Sequence, residues 1–143
     1  MPRLNREELQ AQLEKDKAAW VELKARLMDE EHVDDDGYPT EAALELITKW
    51  HWTDCKGLLE FIDDIWYMAD WGWKEVDAGE LDPTDNDYSA DGGPLLFAST
   101  GGWSGNESII RAFQDNTMAW HLCWIQSRRG GHYIFKPHQF KDD

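Results

Sequence analysis

The run Gly101-Gly102-Trp103-Ser104-Gly105-Asn106 sets three glycines around a tryptophan and two polar side chains. Glycine adopts positive φ and lets a backbone approach a neighbour closely. Ser104 and Glu107 stand at capping-box spacing, which predicts a helix N-terminus with Ser104 as its cap. The unpaired N–H groups and positive dipole end of such a helix attract anions. The chemistry this pattern points to is anion binding, with Trp103 as a stacking surface for a sugar or base. The competing reading is a tight strand-to-helix turn with Trp103 plugging the core. No lysine follows the glycines, so the run is no Walker motif, and the absence of G-x-G-x-x-G removes the dinucleotide fingerprint.

A second polar cluster is SRRGGH, residues 127–132. Arg128 and Arg129 form the kind of pair that holds carboxylate or phosphate bidentately. The same pair could equally meet the protein's own carboxylates. If the two clusters meet, Gly101, Gly102, Trp103, Ser104, Asn106, Arg128, Arg129 and His132 would line one pocket for a phosphate- or carboxylate-bearing small molecule. Strand directions decide whether they do, and the sequence does not give them.

Residues for catalysis are harder to find. Ser99, Ser104 and Ser127 lack the G-x-S-x-G context. His51 lies between two tryptophans and His121 within an apolar run, both patterns of packed residues. His132 and His138 are six apart, which is no metal spacing. Asp63 and Asp64 are adjacent, so on a helix they diverge by about 100° and cannot flank one bond. HVDDDGY resembles a calcium loop, but aligning Gly37 with the loop glycine puts His32 first and Ala43 at the bidentate glutamate position. The same test on Gly92 puts Ala98 there. Cys55 and Cys123 belong to no CxxC pair, and two isolated cysteines suit a reducing cytosol in which both remain thiols. No catalytic residue, metal ligand or cofactor is expected.

The acid is concentrated. Of a net charge of −15 over 143 residues, segment 34–93 carries −14, whereas 1–33 carries −2 and 94–143 carries +1. Such a chain repels nucleic-acid phosphates, so direct nucleic-acid binding is not expected. It suits a basic protein surface, including one that normally binds nucleic acid. Asp63, Asp64, Asp70, Asp82, Asp85 and Asp87 are the expected partner-facing residues. The alternative role of the acid is solubility. The charged N-terminus is no signal peptide and no apolar run reaches membrane-span length, so a cytoplasmic protein without membrane contact is expected.

These residues need elements to hold them. Asn5 with Glu8 predicts a helix start, and Leu9, Leu13, Trp20, Leu23 and Leu27 follow on one face to about Glu31. That helix either packs on the body or supports homo-oligomerisation. Thr40 is expected to cap a helix bearing Ala43, Leu44, Ile47 and Trp50. Thr53 is expected to start another, running through Leu58, Ile62, Trp66 and Ala69 to the WGWKE stretch. Residues 77–93 read as a long polar loop, mobile or functional. PLLFAS reads as a strand, ESIIRAFQ as a helix, MAWHLCWIQ as a strand and HYIFK as its hairpin partner across RRGG. The expectation is one α+β domain over 1–143: a long helix in 1–33, an acidic helical segment and loop in 34–93, and a strand–helix–hairpin unit in 94–143. The helical half packs on a small sheet with an antiparallel hairpin.

The runs LFASTGGWSGNESIIRAFQ and MAWHLCWIQSRRGGHYIF resemble the signature of a family of small uncharacterised bacteriophage-type proteins. The similarity covers the C-terminal third, with a weaker echo around Trp66 to Trp73. The resemblance implies an accessory protein acting in the bacterial host cytoplasm. It would engage, and by class analogy inhibit, a host or phage macromolecule. Three functions are therefore carried forward: a non-enzymatic acidic binding protein, a small-ligand protein or enzyme using the two loop clusters, and an oligomerising structural domain.

Overall fold

The computed structural model describes residues 5–77 and 94–137. Helix α1 (Arg6–Met28) starts where expected. Asn5 accepts from the Glu8 amide at 2.8 Å, and the Glu8 carboxylate takes the Asn5 side-chain N–H at 2.8 Å. It stops three residues early. The Leu27 carbonyl receives the Glu30 amide at 3.1 Å and lies 3.0 Å from His32 Nε2, which closes the helix. Only the C-terminal half of α1 joins the core, through Trp20 and Leu27, while Leu9 stays 55% exposed. Trp20 packs at 4.9 Å against Trp50 with the rings tilted by 49°, at the end of the next helix.

Helix α2 (Glu41–Lys49) is capped by Thr40, whose hydroxyl accepts from the Ala43 amide. Helix α3 (Cys55–Ile65) begins one residue later than the sequence suggests. Asp54, not Thr53, caps it, accepting from the Gly57 amide at 3.2 Å and from the Trp50 indole at 3.2 Å. Aspartate fits there because residue 57 has no Cβ; one would overlap the Asp54 carboxylate.

The expectation that α3 continues to WGWKE is wrong. The helix ends at Ile65, Met68 takes a left-handed conformation (φ 59°, ψ 45°), and a single turn, α4 (Ala69–Gly72), leads into strand β1 (Trp73–Asp77). Long-range bonds break it. The Trp66 indole donates to the Ser99 carbonyl at 3.2 Å, and the Tyr67 peptide is held on both sides by Asn106. Helical spacing of apolar residues through Ala69 could not reveal bonds to residues 33 and 39 positions away.

Strand β2 (Pro94–Ser99) pairs antiparallel with β1, from Trp73 opposite Ala98 to Asp77 opposite Pro94. Helix α5 (Ser104–Asp115) follows, but without a capping box. Trp103 occupies the cap position with no side-chain bond to the helix, and Ser104 is the first helical residue.

The strand expected over MAWHLCWIQ is half helix: α6 (Thr117–Cys123) precedes strand β3 (Trp124–Arg128). Asn116 is the reason. Its Oδ1 receives the Ala119 amide, and its side-chain N–H groups reach Ile47 O at 2.9 Å and Trp50 O at 2.8 Å. A buried side chain tied to α2 and its exit sets the start of α6 against the strand propensity of the run. Strand β4 (His132–Phe135) returns across the predicted turn, with Gly130 and Gly131 at φ 96° and 80°.

The fold is α+β. Among the described residues the sheet is wholly antiparallel, in the order β1-β2-β4-β3. One face carries Ala98 and Phe135 into the helical core with Ile47, Leu58, Ile62, Ile109 and Phe113. Leu95 and Ile134 lie in a smaller cluster with Phe97 and Ile125, as strand alternation requires. Among the described residues no helix is long and apolar enough to cross a membrane.

Candidate functional site

The glycine run makes a turn and a wall at once. Gly101 and Gly102 are both left-handed, at φ 62° and 74°, which swings the chain from β2 into α5. A Cβ on Gly101 would come within 2.9 Å of the Trp71 ring, so that glycine also lets Trp71 lie against the backbone. Thr100 joins the turn to the hairpin by donating its amide to Gly131 O at 3.0 Å.

Trp103 is gripped between two tyrosines. Tyr67 stacks on it with centroids 4.4 Å apart, and Tyr38 lies at 4.7 Å on a tilted plane. Tyr38 reaches this point from the HVDDDGY turn, in which Asp34 accepts from the amides of Asp36 and Tyr38 at 2.9 Å each. HVDDDGY thus orients an aromatic side chain. Among the described residues no His, Cys, Asp and Glu group forms a cation cage.

Tyr67, Met68, Trp71, Thr100, Gly101, Gly102 and Trp103 line a groove of about 290 Å³. Met68 is 60% exposed and Trp71 58%, with Tyr38 and Tyr67 also open to solvent. Large apolar side chains clustered on a surface mark an interaction site, whereas the same residues scattered singly would not. Carboxylates surround them in the chain: Asp34, Asp35 and Asp36 before Tyr38, Asp63 and Asp64 before the kink, and Asp70 beside Trp71, all exposed. Partial burial raises the pKa of Asp63 above its ordinary value, and the charges of Asp64 and Asp70 raise it further. Asp63 thus feels the charges of both Asp64 and Asp70 across the kink. Asp63 lines a second, larger groove of about 420 Å³, with Glu60, Glu75 and Lys56.

The sequence-derived ligand residues divide. Gly101, Gly102 and Trp103 line the aromatic groove. The Ser104 hydroxyl lies 3.4 Å from that of Tyr38. Asn106 is buried with 2% exposure and bonds to Tyr67 N, Tyr67 O and Thr100 O, so its amide braces the groove from behind. The hairpin does meet the glycine turn: His132 Nδ1 lies 2.7 Å from Ser99 Oγ, and these residues are partners across β2 and β4. Arg128 and Arg129 do not follow. Both are exposed, Arg128 turns to Gln126 Oε1 at 3.2 Å, and neither lines the aromatic groove. Asp82, Asp85 and Asp87, like most of the 77–93 loop, lie outside the described residues. Sequence reasoning missed Tyr38, Tyr67, Met68 and Trp71. The density of aromatics in WYMADWGW was visible, but helical periodicity assigned it to a core face.

Comparison with protein-family models, curated proteins and solved structures returns no match.

Proposed function

We propose that this protein is a non-enzymatic binding protein that engages a basic macromolecular partner through the aromatic groove and its acidic surroundings. The observation that carries the reading is the solvent-open Trp71, laid against Gly101 beside Tyr67 and Met68 in the most acidic third of the chain. Lysine and arginine side chains gain by lying on aromatic faces, each contact adding about 0.5–2 kcal/mol. Nearby carboxylates speed the encounter and disfavour acidic competitors. The phage-type signature supports an accessory role in a bacterial cytoplasm, with occlusion of a host protein's basic surface as the mode of inhibition. The small-anion alternative calls on Arg128 and Arg129, neither of which lines this groove.

The test uses a short arginine-rich peptide as probe, read by tryptophan fluorescence at two salt concentrations. Trp71→Ala is expected to weaken binding about tenfold, or about 1.4 kcal/mol. Joint replacement of Asp63, Asp64 and Asp70 by asparagine is expected to reduce both affinity and its salt dependence. Binding that ignores Trp71→Ala and follows net charge alone would sink the groove as the recognition element.

A further inference from the structure

The larger groove, of about 420 Å³, runs between α3 and the β1–β2 side of the sheet. Small-molecule sites occupy about 300–1,000 Å³ and combine an apolar lining with a few polar groups. Leu59, Trp73 and Leu96 supply the apolar part; the first two are buried and Leu96 is half-buried. Carboxylates come from both walls. Glu60 and Asp63 are three residues apart on α3, so they share one helix face. Glu75 belongs to β1, where it pairs across the strands with Leu96 and lies on the same side as Trp73. All three carboxylates are exposed, and no ion pair among the described residues engages them. The one cation on the groove is Lys56, a turn before Glu60 on α3.

The carboxylates line the groove without converging. Among the described residues no three acidic side chains gather as a metal ion requires. Negative charge spread along an apolar trough suits a ligand whose own charges are separated by methylenes. Such a chain lays its CH₂ groups on apolar surface and keeps its ammonium ends among polar groups, as lysine stems do. We propose that this groove binds an aliphatic diamine, with one ammonium on Glu75, the other on Glu60 and Asp63, and the methylenes over Leu59, Trp73 and Leu96. Burial, and then the charges of Asp64 and Asp70, raise the Asp63 pKa, and a bound ammonium would offset both charges. The groove shares no lining residue with the aromatic groove, so the proposal does not rest on the partner-binding reading.

The test titrates the full chain with putrescine, a four-carbon diamine, by calorimetry at low ionic strength. One equivalent is expected to bind saturably, and butylamine, with one charge fewer, about tenfold more weakly. Glu60→Gln combined with Glu75→Gln should weaken putrescine about tenfold. Glu7→Gln combined with Glu14→Gln removes the same charge from exposed positions of α1 and should change the affinity less than about twofold. All four glutamates are exposed, and the thermal midpoint checks that each variant is folded. Equal weakening in the two double variants, uptake of several equivalents without saturation, or displacement by magnesium at the same charge concentration would reduce the effect to net charge and overturn the proposal. Putrescine binding abolished by Trp71→Ala would put the diamine in the aromatic groove and overturn it equally.

Discussion

Asn106 and Trp71 show how differently two side chains of one site can be built. Asn106 spends its amide on backbone groups of Tyr67 and Thr100 in a buried setting. Removing it leaves a buried N–H and carbonyl groups without partners, at about 1–3 kcal/mol for each group stranded. Asn106→Ala should therefore lower unfolding stability by at least about 2 kcal/mol, measured by denaturant titration. It should also loosen Tyr67, and with it the stack on Trp103. Trp71 is mostly solvent-exposed and touches the backbone at Gly101, so Trp71→Ala should change stability by less than about 1 kcal/mol. A comparable loss in both variants would mean that Trp71 is a structural residue and the groove is no docking surface. The anion reading of Gly101 to Asn106 counted Asn106 as a ligand residue. It saw a cluster of polar side chains, but Asn106 was already committed to backbone partners.

At the scale of elements, the deciding feature is the break between α3 and β1. Met68 is the one non-glycine residue with positive φ among the described residues, and it is 60% exposed. A left-handed L-residue costs about 1–2 kcal/mol, and little packing repays it there. Met68→Gly removes that strain but gives the unfolded chain more freedom, which offsets part of the gain. The net expectation is stabilisation of up to about 1 kcal/mol, read as a higher midpoint in thermal unfolding. A loss of stability would mean that Met68 packs more firmly than its exposure indicates. The missed strand β1 belongs to the same scale. Among the described residues WKEVD places Lys74 and Glu75 on an edge of the sheet, where charge disfavours pairing with other chains. That charge is also what hid the strand from a reading based on apolar alternation.

For the whole molecule, pH acts through His51 as well as through net charge. His51 Nδ1 lies 2.7 Å from Thr53 Oγ1 and 3.3 Å from the Thr53 amide, and its Nε2 is buried without a partner among the described residues. Burial lowers the His51 pKa below the ordinary 6.5, the charge of Lys17 lowers it further, and Asp16 opposes both. The folded state thus binds this proton less readily than the unfolded chain. The His51 contribution is fully present above the ordinary value and is lost as pH falls through the folded one. His51→Asn keeps an acceptor for Thr53 but does not titrate. Between about pH 7.5 and pH 5 the wild type should lose more stability than this variant, by denaturant unfolding at each pH. Parallel curves would rule out a perturbed His51. The opposing relief at Asp63 and across the acidic surface is common to both proteins and cancels in the difference. The sequence by itself determined what depends on near neighbours. Asn5 and Thr40 cap their helices, PLLFAS is a strand, Gly130 and Gly131 turn the hairpin, and the acid lies in the middle third. Those features are set by local propensity, capping and composition. Only the tertiary structure decided that α3 stops at Ile65, that α6 interrupts a run of strand formers, that neither Arg128 nor Arg129 lines the aromatic groove, and that Asn106 braces Tyr67. Each of these outcomes rests on contacts between residues far apart in the chain. Buried bonds from Asn106, Asn116 and Trp66 outweigh local preferences of a few tenths of a kcal/mol per residue.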